Sequence, residues 1–481
     1  MKVCLLNDAF TPVIDGVVTV LQNYAKYMIE DFDAEVEIAT PEYPGADYSA
    51  LPYKVVPYKS IDTSKLTNGY RAGIPFGTEA LAELAQFGPD IIHSHCPASA
   101  TVIARLLREE TYAPLIYTYH TKYDIDIRRA IKQKQIADET IRLMVGNIQA
   151  CDEVWVVSRG AGENLKEIGF TGEYRVMPNG VDFEKGRVDD ETVAKVTAGY
   201  DLPKGVPVFL FVGRLIEYKN IPLILDALKV ISDQGMDFRM VFIGKGPDEE
   251  HFKETAIQYG LMRDPDGDQA GTEGPDKCIF VGPIYDRDEL RAWNTRADLF
   301  LFPSTFDTNG LVVREAAACG LASVLVKDSC AAEGITDGRN GILIEENAQS
   351  LAAVLLSAGG NLDHLHRLGQ HAMDEIYISW RDCVHQAYRR YEQVLALGKV
   401  GALPHHKKDF TDQLVKFTSS HMQNTDKFQK DMKKVREYFT STIPAGMEEN
   451  TEGEGKKANP LEDFIAQTEQ MADYLYDFLK A

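Results

Sequence analysis

Short apolar runs alternate with longer stretches of helical periodicity in the first part of the chain. The apolar runs predict β-strands over residues 3–7, 36–39, 90–93, 115–119 and 154–157. Helical spacing of apolar positions predicts helices between them, over residues 17–29, 98–108 and 125–149. Because strands that alternate with helices are joined by crossovers, this pattern indicates a parallel sheet covered by helices on both faces.

The same alternation starts again after a polar, turn-rich stretch over residues 182–207. New apolar runs predict strands over residues 208–212, 238–243, 278–281, 299–302 and 323–326. We therefore place a domain boundary near Asn179 and Gly180, with one domain over residues 1–178 and another over residues 179–379. The predicted fold class is α/β, with two Rossmann-like, doubly wound parallel-sheet domains that face a cleft.

A third region, residues 401–481, is predicted to be a helical extension. Two amphipathic helical patterns cover residues 410–439 and 461–479, and a linker rich in Glu, Gly and Asn joins them over about residues 445–460. Apolar positions in the first pattern follow a near-heptad spacing. We expect these helices to dock on the catalytic domains, to pair two copies of the chain, or to contact a membrane.

Charge and cysteine content narrow the function classes. The chain has 481 residues and a net charge of −22, which argues against nucleic-acid binding, since that requires a basic surface. Its seven scattered cysteines form no C-x-x-C pair and are expected to be reduced thiols in the cytoplasm. The acidic loop that begins at Asp264 has calcium-loop spacing but carries Pro275 where such loops need Glu, so no metal site is predicted.

The most informative stretch covers residues 302–320, where a strand, a loop and a helix follow one another. A helix N-terminus presents free N–H groups and binds anions and polar oxygens. We expect Asp307 and the backbone amides of Asn309, Gly310 and Leu311 to face a sugar. Glu315, eight positions after Asp307, is placed to accept hydrogen bonds from a vicinal diol such as a ribose. The alternative is an ordinary helix cap with a buried, paired Glu.

A second motif lies in residues 209–220, where a buried strand runs into a glycine turn at Gly213. Arg214 and Lys219 follow at the start of a predicted helix and form a candidate clamp for a diphosphate. The alternative is a pair of solvated surface charges. Neither the first strand nor the turn at residues 243–247 has the G-x-G-x-x-G fingerprint, so a dehydrogenase is not supported.

Taken together, these motifs resemble those of the group 1 (family 4) glycosyltransferases, which have the GT-B fold. The resemblance includes Gly213-Arg214-Leu215 with Lys219-Asn220, and the two acids Asp307 and Glu315 ahead of Cys319-Gly320. It extends from about residue 2 to residue 400. It implies that Gly16 and Val17 lie beside the donor phosphates. It also implies that Gly282 and Ile284 form the turn that binds the base of the nucleotide. Residues 178–182 would then form a hinge between the domains, and a helix over about residues 380–400 would cross back onto the first domain.

Two residues refine this resemblance. His120, at the end of a strand of the first domain, lies in a sequence similar to that of the diacylglycerol glucosyltransferase branch, which implies contact with the donor sugar or the leaving phosphate. His93 and His95 are interpreted as structural or acceptor-side residues. The first acid of the pair is usually Glu in the family, and Asp307 is one methylene shorter, which puts the preference for a donor sugar in question.

The resemblance implies an enzyme that transfers a hexose, with glucose as the expected sugar and UDP as its carrier, with retention of configuration. No cofactor or metal is required, because Arg214, Lys219 and helix amides stabilise the departing diphosphate. A basic amphipathic segment follows His120, and it favours a lipid acceptor such as diacylglycerol and peripheral contact with the inner membrane surface. Its basic residues are Lys122, Arg128, Arg129, Lys132 and Lys134.

The same motifs are also compatible with other acceptors and other functions. The acceptor is alternatively a soluble glycan or a polysaccharide. The chain is alternatively a catalytically weak partner subunit, which Asp307 and the tail helices motivate, and the tail helices also favour a homo-oligomer. A sugar phosphorylase or an epimerase would share the fold, but no lysine has the sequence context of a pyridoxal site.

Overall fold

The computed structural model describes residues 1–13, 15–63, 70–75, 78–264 and 275–403. Its first sheet has seven parallel strands in the order β3-β2-β1-β6-β7-β8-β9. The strands are β1 (Lys2–Leu6), β2 (Glu35–Pro41), β3 (Lys54–Tyr58), β6 (Ile91–Ser94), β7 (Leu115–Tyr119), β8 (Glu153–Val156) and β9 (Tyr174–Val176). A separate antiparallel pair is formed by β4 (Ser60–Asp62) and β5 (Arg71–Gly73).

The helices of this domain cover the sheet, and one sequence prediction about them is wrong. They are α1 (Gly16–Phe32), α2 (Thr78–Phe87), α3 (Ser99–Thr111), α4 (Tyr123–Ala130), α5 (Lys134–Gln149) and α6 (Arg159–Glu167). The single helix predicted over residues 125–149 is two helices, because Ile131 and Gln133 have extended backbones. No glycine or proline marks this break, so the apolar pattern runs through it unchanged.

The second sheet has six parallel strands in the order β12-β11-β10-β13-β14-β15. They are β10 (Val208–Val212), β11 (Arg239–Ile243), β12 (Cys278–Gly282), β13 (Leu299–Phe302), β14 (Ser323–Val326) and β15 (Ile342–Ile344). Every residue of β10, β11, β13 and β14 is buried, as expected for a sheet covered on both faces. The predicted α/β class with two parallel sheets is confirmed.

The helices of the second domain precede, connect and follow its strands. They are α7 (Asp190–Val196), α8 (Ile221–Asp233), α9 (Glu249–Gln258), α10 (Arg287–Arg296), α11 (Leu311–Ala318), α12 (Ala348–Gly359) and α13 (Leu362–Glu375). Single turns of 3-10 helix cover Glu217–Lys219 and Cys330–Ala332. The first of these turns precedes α8, so Lys219 lies just before a helix rather than inside one.

The last described helix, α14 (Trp380–Lys399), leaves the second domain and packs on the first. Its Tyr391 is fully buried and stacks on Trp155 of β8, with ring centroids 5.5 Å apart. The crossing begins where Val181 pairs with Ser379. A Cβ atom at Gly180 would lie 2.5 Å from the backbone of Trp380, so a residue without a side chain is required at this crossing.

The predicted tail helices over residues 410–439 and 461–479, with the linker over 445–460, lie outside the described residues, as does most of the loop over residues 263–277. Within the part of the chain that is described, no helix combines the length and the apolar content needed to cross a bilayer.

Candidate active site

A cavity of about 230 Å³ lies in the cleft between the two sheets. Both domains contribute to it at the carboxyl ends of their strands, which is where parallel α/β sheets bind ligands. The first domain supplies the start of α1 and the residues after β7, and the second supplies the turn after β10, Lys219 and the loop before α11. The lining residues are Asp15, Gly16, Val17, His120, Thr121, Asn179, Val212, Gly213, Lys219, Phe302, Asp307, Thr308, Asn309, Gly310, Leu311 and Val312.

Two glycine turns of the second domain pack together at the cavity, and one of them, at Gly213, lines it. Gly213 follows β10 with φ +155°, and Gly244 follows the neighbouring β11 with φ +139°. A Cβ atom at Gly244 would lie 1.9 Å from the carbonyl oxygen of Gly213, so the two backbones touch and no side chain fits between them. A side chain at position 244 would therefore displace the turn at Gly213, which lines the cavity.

Lys219 and Asp307 form an ion pair inside the cavity. The Lys219 ammonium donates to both carboxylate oxygens of Asp307, at 2.6 and 2.7 Å. Their side chains are only 14% and 22% exposed, so the pair is largely removed from solvent. The sequence placed both residues in the site but not in contact with each other. A cation held in this way is oriented before any ligand arrives, as electrostatic catalysis requires.

The N-terminus of α11 opens into the same cavity. Its cap residue, Gly310, has φ +58° and no side chain with which to satisfy the first-turn amides, so those of Leu311 and Val312 are available to a ligand. Asn309 is 8% exposed, and neither polar atom of its side chain has a hydrogen-bond partner among the described residues. This corner therefore offers several unsatisfied polar groups to a ligand with anionic or hydroxyl oxygens.

The start of α1, in the first domain, also lines the cavity, but unlike the start of α11 it is capped by a carboxylate. Asp15 caps α1 and accepts hydrogen bonds from the amides of Val17 at 2.6 Å and Val18 at 3.4 Å. Tyr70 donates to the second Asp15 oxygen at 2.6 Å. Because Asp15 already occupies this helix terminus, Gly16 and Val17 contribute backbone surface to the cavity rather than an empty anion site.

His120 follows β7 and is 6% exposed. Its Nε2 lies 2.9 Å from Nδ1 of His95, and its Nδ1 has no hydrogen-bond partner among the residues that the structure describes. Burial lowers the pKa of His120 to about 3, so the ring is neutral at neutral pH. His120 is therefore a candidate hydrogen-bonding group and not a cation.

Thr308 ties the two walls of the cleft together. Its hydroxyl donates to the carbonyl of His120 at 2.7 Å, and its own carbonyl accepts from the hydroxyl of Ser158 in the first domain. Ser158 is also the cap of α6 and accepts from the amide of Ala161. The contact of Thr308 and Ser158 between the domains cannot be identified from the sequence, because neither residue belongs to a recognisable motif and the contacts form only when the domains meet.

Glu315 lies in α11 and does not line the cavity. Arg287, at the start of α10, donates to its carboxylate at 2.5 Å. Burial raises the pKa of Glu315, while Arg287 opposes that shift. Gly282, with φ +88°, and Ile284 lie in the turn just before α10, so Arg287 connects this turn to Glu315. Arg287 could not be identified from the sequence, because its partner is 28 positions away.

The basic residues that were predicted to contact the donor or a membrane lie in several different environments. Arg214 in the second domain is exposed and is not among the residues that line the cavity. Arg129 is exposed, and its guanidinium lies over the rings of Tyr218 and Phe306 of the second domain, at 5.1 and 5.0 Å. Arg128 pairs with Asp138 at 2.5 Å. The exposed basic residues that remain in that segment are Lys132 and Lys134.

Two protein-family models match the chain. The model described as "Glycosyl transferases group 1" matches residues 206–359, and the model described as "Glycosyltransferase Family 4" matches residues 14–185. The two matches do not overlap, and each corresponds to one of the two sheets. Together they cover about two thirds of the chain.

Relatives and solved structures agree with these matches. An alpha-monoglucosyldiacylglycerol synthase from Acholeplasma laidlawii is 24% identical over 77% of this chain and 92% of its own length. A D-inositol 3-phosphate glycosyltransferase from Catenulispora acidiphila is 29% identical over 62% of this chain and 68% of its own. The Anabaena protein HepE, solved in complex with UDP, aligns with a TM-score of 0.63 at 18% identity, over 82% of this chain and 100% of its own.

Proposed function

We propose that this chain, which belongs to the group 1 glycosyltransferases and has their GT-B fold, transfers a hexose from a nucleoside diphosphate sugar with retention of anomeric configuration. Its being a glycosyltransferase follows from the family matches. The observation that carries the finer proposal is the Lys219–Asp307 ion pair beside the open N-terminus of α11, in a cavity walled by both domains.

In this proposal the donor lies along the second-domain wall. Lys219 and the amides of Leu311 and Val312 hold the diphosphate, and Asn309 and Asp307 face the sugar. Glu315 accepts from the ribose hydroxyls and the turn at Gly282 and Ile284 holds the base. UDP-glucose is the proposed donor. HepE was solved with UDP-glucose, and the name of the Acholeplasma laidlawii relative refers to a glucosyl product.

The proposed chemistry is charge stabilisation on the leaving group. As the anomeric bond breaks, negative charge grows on the diphosphate, and Lys219 faces that charge in a fixed orientation because Asp307 holds it. Arg214 directly follows Gly213, and we propose that its exposed guanidinium turns toward the diphosphate when the donor binds. The acceptor hydroxyl forms the new bond on the same face and passes its proton to the departing diphosphate. No metal is part of this proposal.

A donor screen tests the proposal directly. UDP and UDP-glucose are expected to raise the thermal unfolding midpoint of the full chain more than the matching ADP and GDP compounds do. NMR of the product is expected to show the anomeric configuration of the donor retained. The variant Lys219→Ala serves as the control that should lose the shift. A product of inverted anomeric configuration would overturn the retaining mechanism. If none of the nucleotides raises the unfolding midpoint, the assignment of the donor site is wrong.

We propose a lipid hydroxyl, with diacylglycerol as the example, as the acceptor. The relatives differ here, since the name of one refers to a diacylglycerol product and that of the other to an inositol phosphate. Support for the lipid comes from the exposed Lys132, Lys134 and Ile136 beside the cleft, the last with 41% of its surface exposed. Because the whole chain carries −22, attraction to an anionic bilayer must be local.

Flotation of the full chain with liposomes, with and without anionic lipid, tests the acceptor class. Lys132→Glu/Lys134→Glu is expected to abolish flotation on anionic liposomes. Lys195→Glu/Lys204→Glu, which changes two exposed lysines of the second domain, is the charge-matched control and should float like the unchanged chain. If the chain does not float and glucosylates soluble alcohols well, a soluble acceptor replaces the lipid. If it binds donor but neither transfers nor hydrolyses it, the partner-subunit alternative is correct.

A further inference from the structure

We infer that His95 is a positioning residue that sets the tautomer of His120, so that the His120 proton resides on Nδ1 and is available to the bound donor. This inference rests on the proposed function, because it gives a bound donor sugar or phosphate as the acceptor of that proton. His95 itself lies behind His120 and does not line the cavity.

His95 and His120 follow neighbouring strands of the first sheet, β6 and β7. Their rings lie nearly parallel, 20° apart with centroids at 5.2 Å, and Nδ1 of His95 is 2.9 Å from Nε2 of His120. Both residues are buried, at 0% and 6% exposure. A single hydrogen bond therefore joins two neutral rings, and only one of the two nitrogens can carry the shared proton.

His95 is held in place from its other side. Tyr24 meets it edge-on at 5.7 Å, and His93 packs against it at 4.0 Å. His93 in turn has hydrogen-bond partners on both nitrogens, the Tyr391 hydroxyl at 2.5 Å and the Thr118 hydroxyl at 2.7 Å. The His95 ring is thus packed between α1 and β6, and its neighbour His93 is held in turn by hydrogen bonds to β7 and to the crossing helix α14.

The unpartnered atoms decide the direction of the His95–His120 hydrogen bond. Nε2 of His95 is buried and has no partner among the described residues, like Nδ1 of His120. If His120 donated, His95 would have to carry its proton on Nε2, and a buried N–H would stay unsatisfied whether or not a ligand is bound. Such orphaned donors are rarer in proteins than unsatisfied acceptors.

If His95 donates instead, the only unsatisfied N–H is on Nδ1 of His120, a residue that lines the cavity. A sugar hydroxyl or a phosphate oxygen of the bound donor then satisfies it. Burial lowers the pKa of both rings, so neither gains a second proton near pH 7 that would remove the distinction between tautomers. The arrangement supplies a directed neutral donor in the cleft.

The tautomer is measured directly by NMR on the full chain labelled with ¹⁵N-histidine. Long-range ¹H–¹⁵N correlation distinguishes a histidine protonated on Nδ1 from one protonated on Nε2, and the variants His95→Leu and His120→Phe assign the signals. His120 is expected as the Nδ1–H form without ligand and with UDP. Observation of the Nε2–H form of His120 overturns the inference. This outcome is independent of whether any sugar is transferred, so it is separate from a failure of the proposed function.

Kinetics tests the consequence for turnover. His95→Leu removes the donor while retaining bulk, and it is expected to lower kcat roughly tenfold, the value of one lost hydrogen bond, with little change in UDP affinity. His95→Asn places an amide nitrogen near the position of Nδ1 and should restore most of that loss. In a double-mutant cycle, His95→Leu should cost nothing further once His120→Ala is present. Equal kcat for the Asn and Leu variants, or additive effects in the cycle, would overturn the inference.

Discussion

The two walls of the cleft are built on different physical principles. The second-domain wall carries charge and open backbone amides, with the Lys219–Asp307 ion pair beside the start of α11. The first-domain wall carries the capping carboxylate of Asp15 and the neutral ring of His120, with the buried ring of His95 behind it, and burial lowers the pKa of both histidines. The cation and the open amides thus belong to one domain, and a buried neutral hydrogen-bonding ring belongs to the other.

The walls also differ in how their residues are held. On the second domain, short local motifs place the groups, since Gly213 and Lys219 are six positions apart and residues 307–310 form one loop that leads into α11. On the first domain, His120 depends on His95 from another strand, and His93 behind it depends on Tyr391 from α14. The experiments that follow alter one wall at a time.

The largest effect is expected when charge is removed from the second-domain wall. Lys219→Ala should lower transfer by about a hundredfold or more, the usual result of removing one preorganised electrostatic group. It also leaves Asp307 without its partner in a poorly solvated place. Steady-state kinetics measures the loss, and Lys229→Ala, which breaks an exposed Lys–Asp pair with Asp233, is the matched control. Near-normal turnover of Lys219→Ala would show that the wall does not act through this charge.

A smaller loss is expected from the second acid of the same wall. Glu315→Gln keeps the shape of the side chain but removes the charge that Arg287 neutralises, so a roughly tenfold weaker donor affinity is expected. Calorimetric titration with UDP measures it. Arg287→Ala should weaken binding in the same direction, and the double variant should show less than the sum of the two effects, since the residues form one contact. Full additivity would mean that they act separately.

Changing the length of the first acid should alter selectivity more than affinity. Asp307→Glu lengthens the side chain by one methylene, so the carboxylate cannot keep both contacts with Lys219 and also stay where the proposed donor sugar would meet it. We expect the ratio of kcat/KM between UDP-glucose and UDP-galactose to change several-fold, with UDP affinity nearly unchanged. Equal effects on the free nucleotide and on both sugars would show that this residue does not contact the sugar.

The contact between the walls should have a modest effect of its own. Thr308→Val removes the hydroxyl that donates to the His120 carbonyl but keeps the branched shape. Because closure of the cleft excludes water, donor hydrolysis is expected to rise relative to transfer by a few-fold. Product analysis by mass spectrometry reads the ratio, and Thr336→Val in an outer loop of the second domain serves as a control. An unchanged ratio would assign Thr308 a purely structural role.

Because of the buried histidines of the first domain, we expect the stability of the protein to depend on pH but kcat/KM to be insensitive to it near neutrality. The folded pKa of His120 is about 3, below its unfolded value, and burial lowers the pKa of His93 and His95 in the same direction. The unfolded chain therefore binds more protons below about pH 6.5, and stability present above that pH is lost as the pH falls. Thermal unfolding midpoints should be nearly level from pH 8 to 7 and fall from pH 6.5 to 5, while His120 adds no inflection to kcat/KM between pH 6 and 8.

Local sequence patterns were enough to predict the repeated α/β pattern and the positions of most strands, and they proposed Gly213, Lys219 and Asp307 as parts of one site. Strand periodicity and glycine turns are local properties, so β10, β13 and β14 were predicted to the residue. Gly213, Lys219 and residues 307–311 come together because they lie at the ends of neighbouring parallel strands. The interruption between α4 and α5 was not predictable, because nothing in its local sequence breaks a helix.

Which side chains contact each other could be established only from the tertiary structure. The contact of Lys219 with Asp307 depends on the distance between residues far apart in the chain, and so does the packing of Arg129 on Tyr218 and Phe306. His95 became relevant to His120 only when two strands placed their rings in contact. Burial and hydrogen-bond partners are collective properties of the fold, and they convert a histidine that is ordinary in the sequence into a neutral ring with one unsatisfied nitrogen.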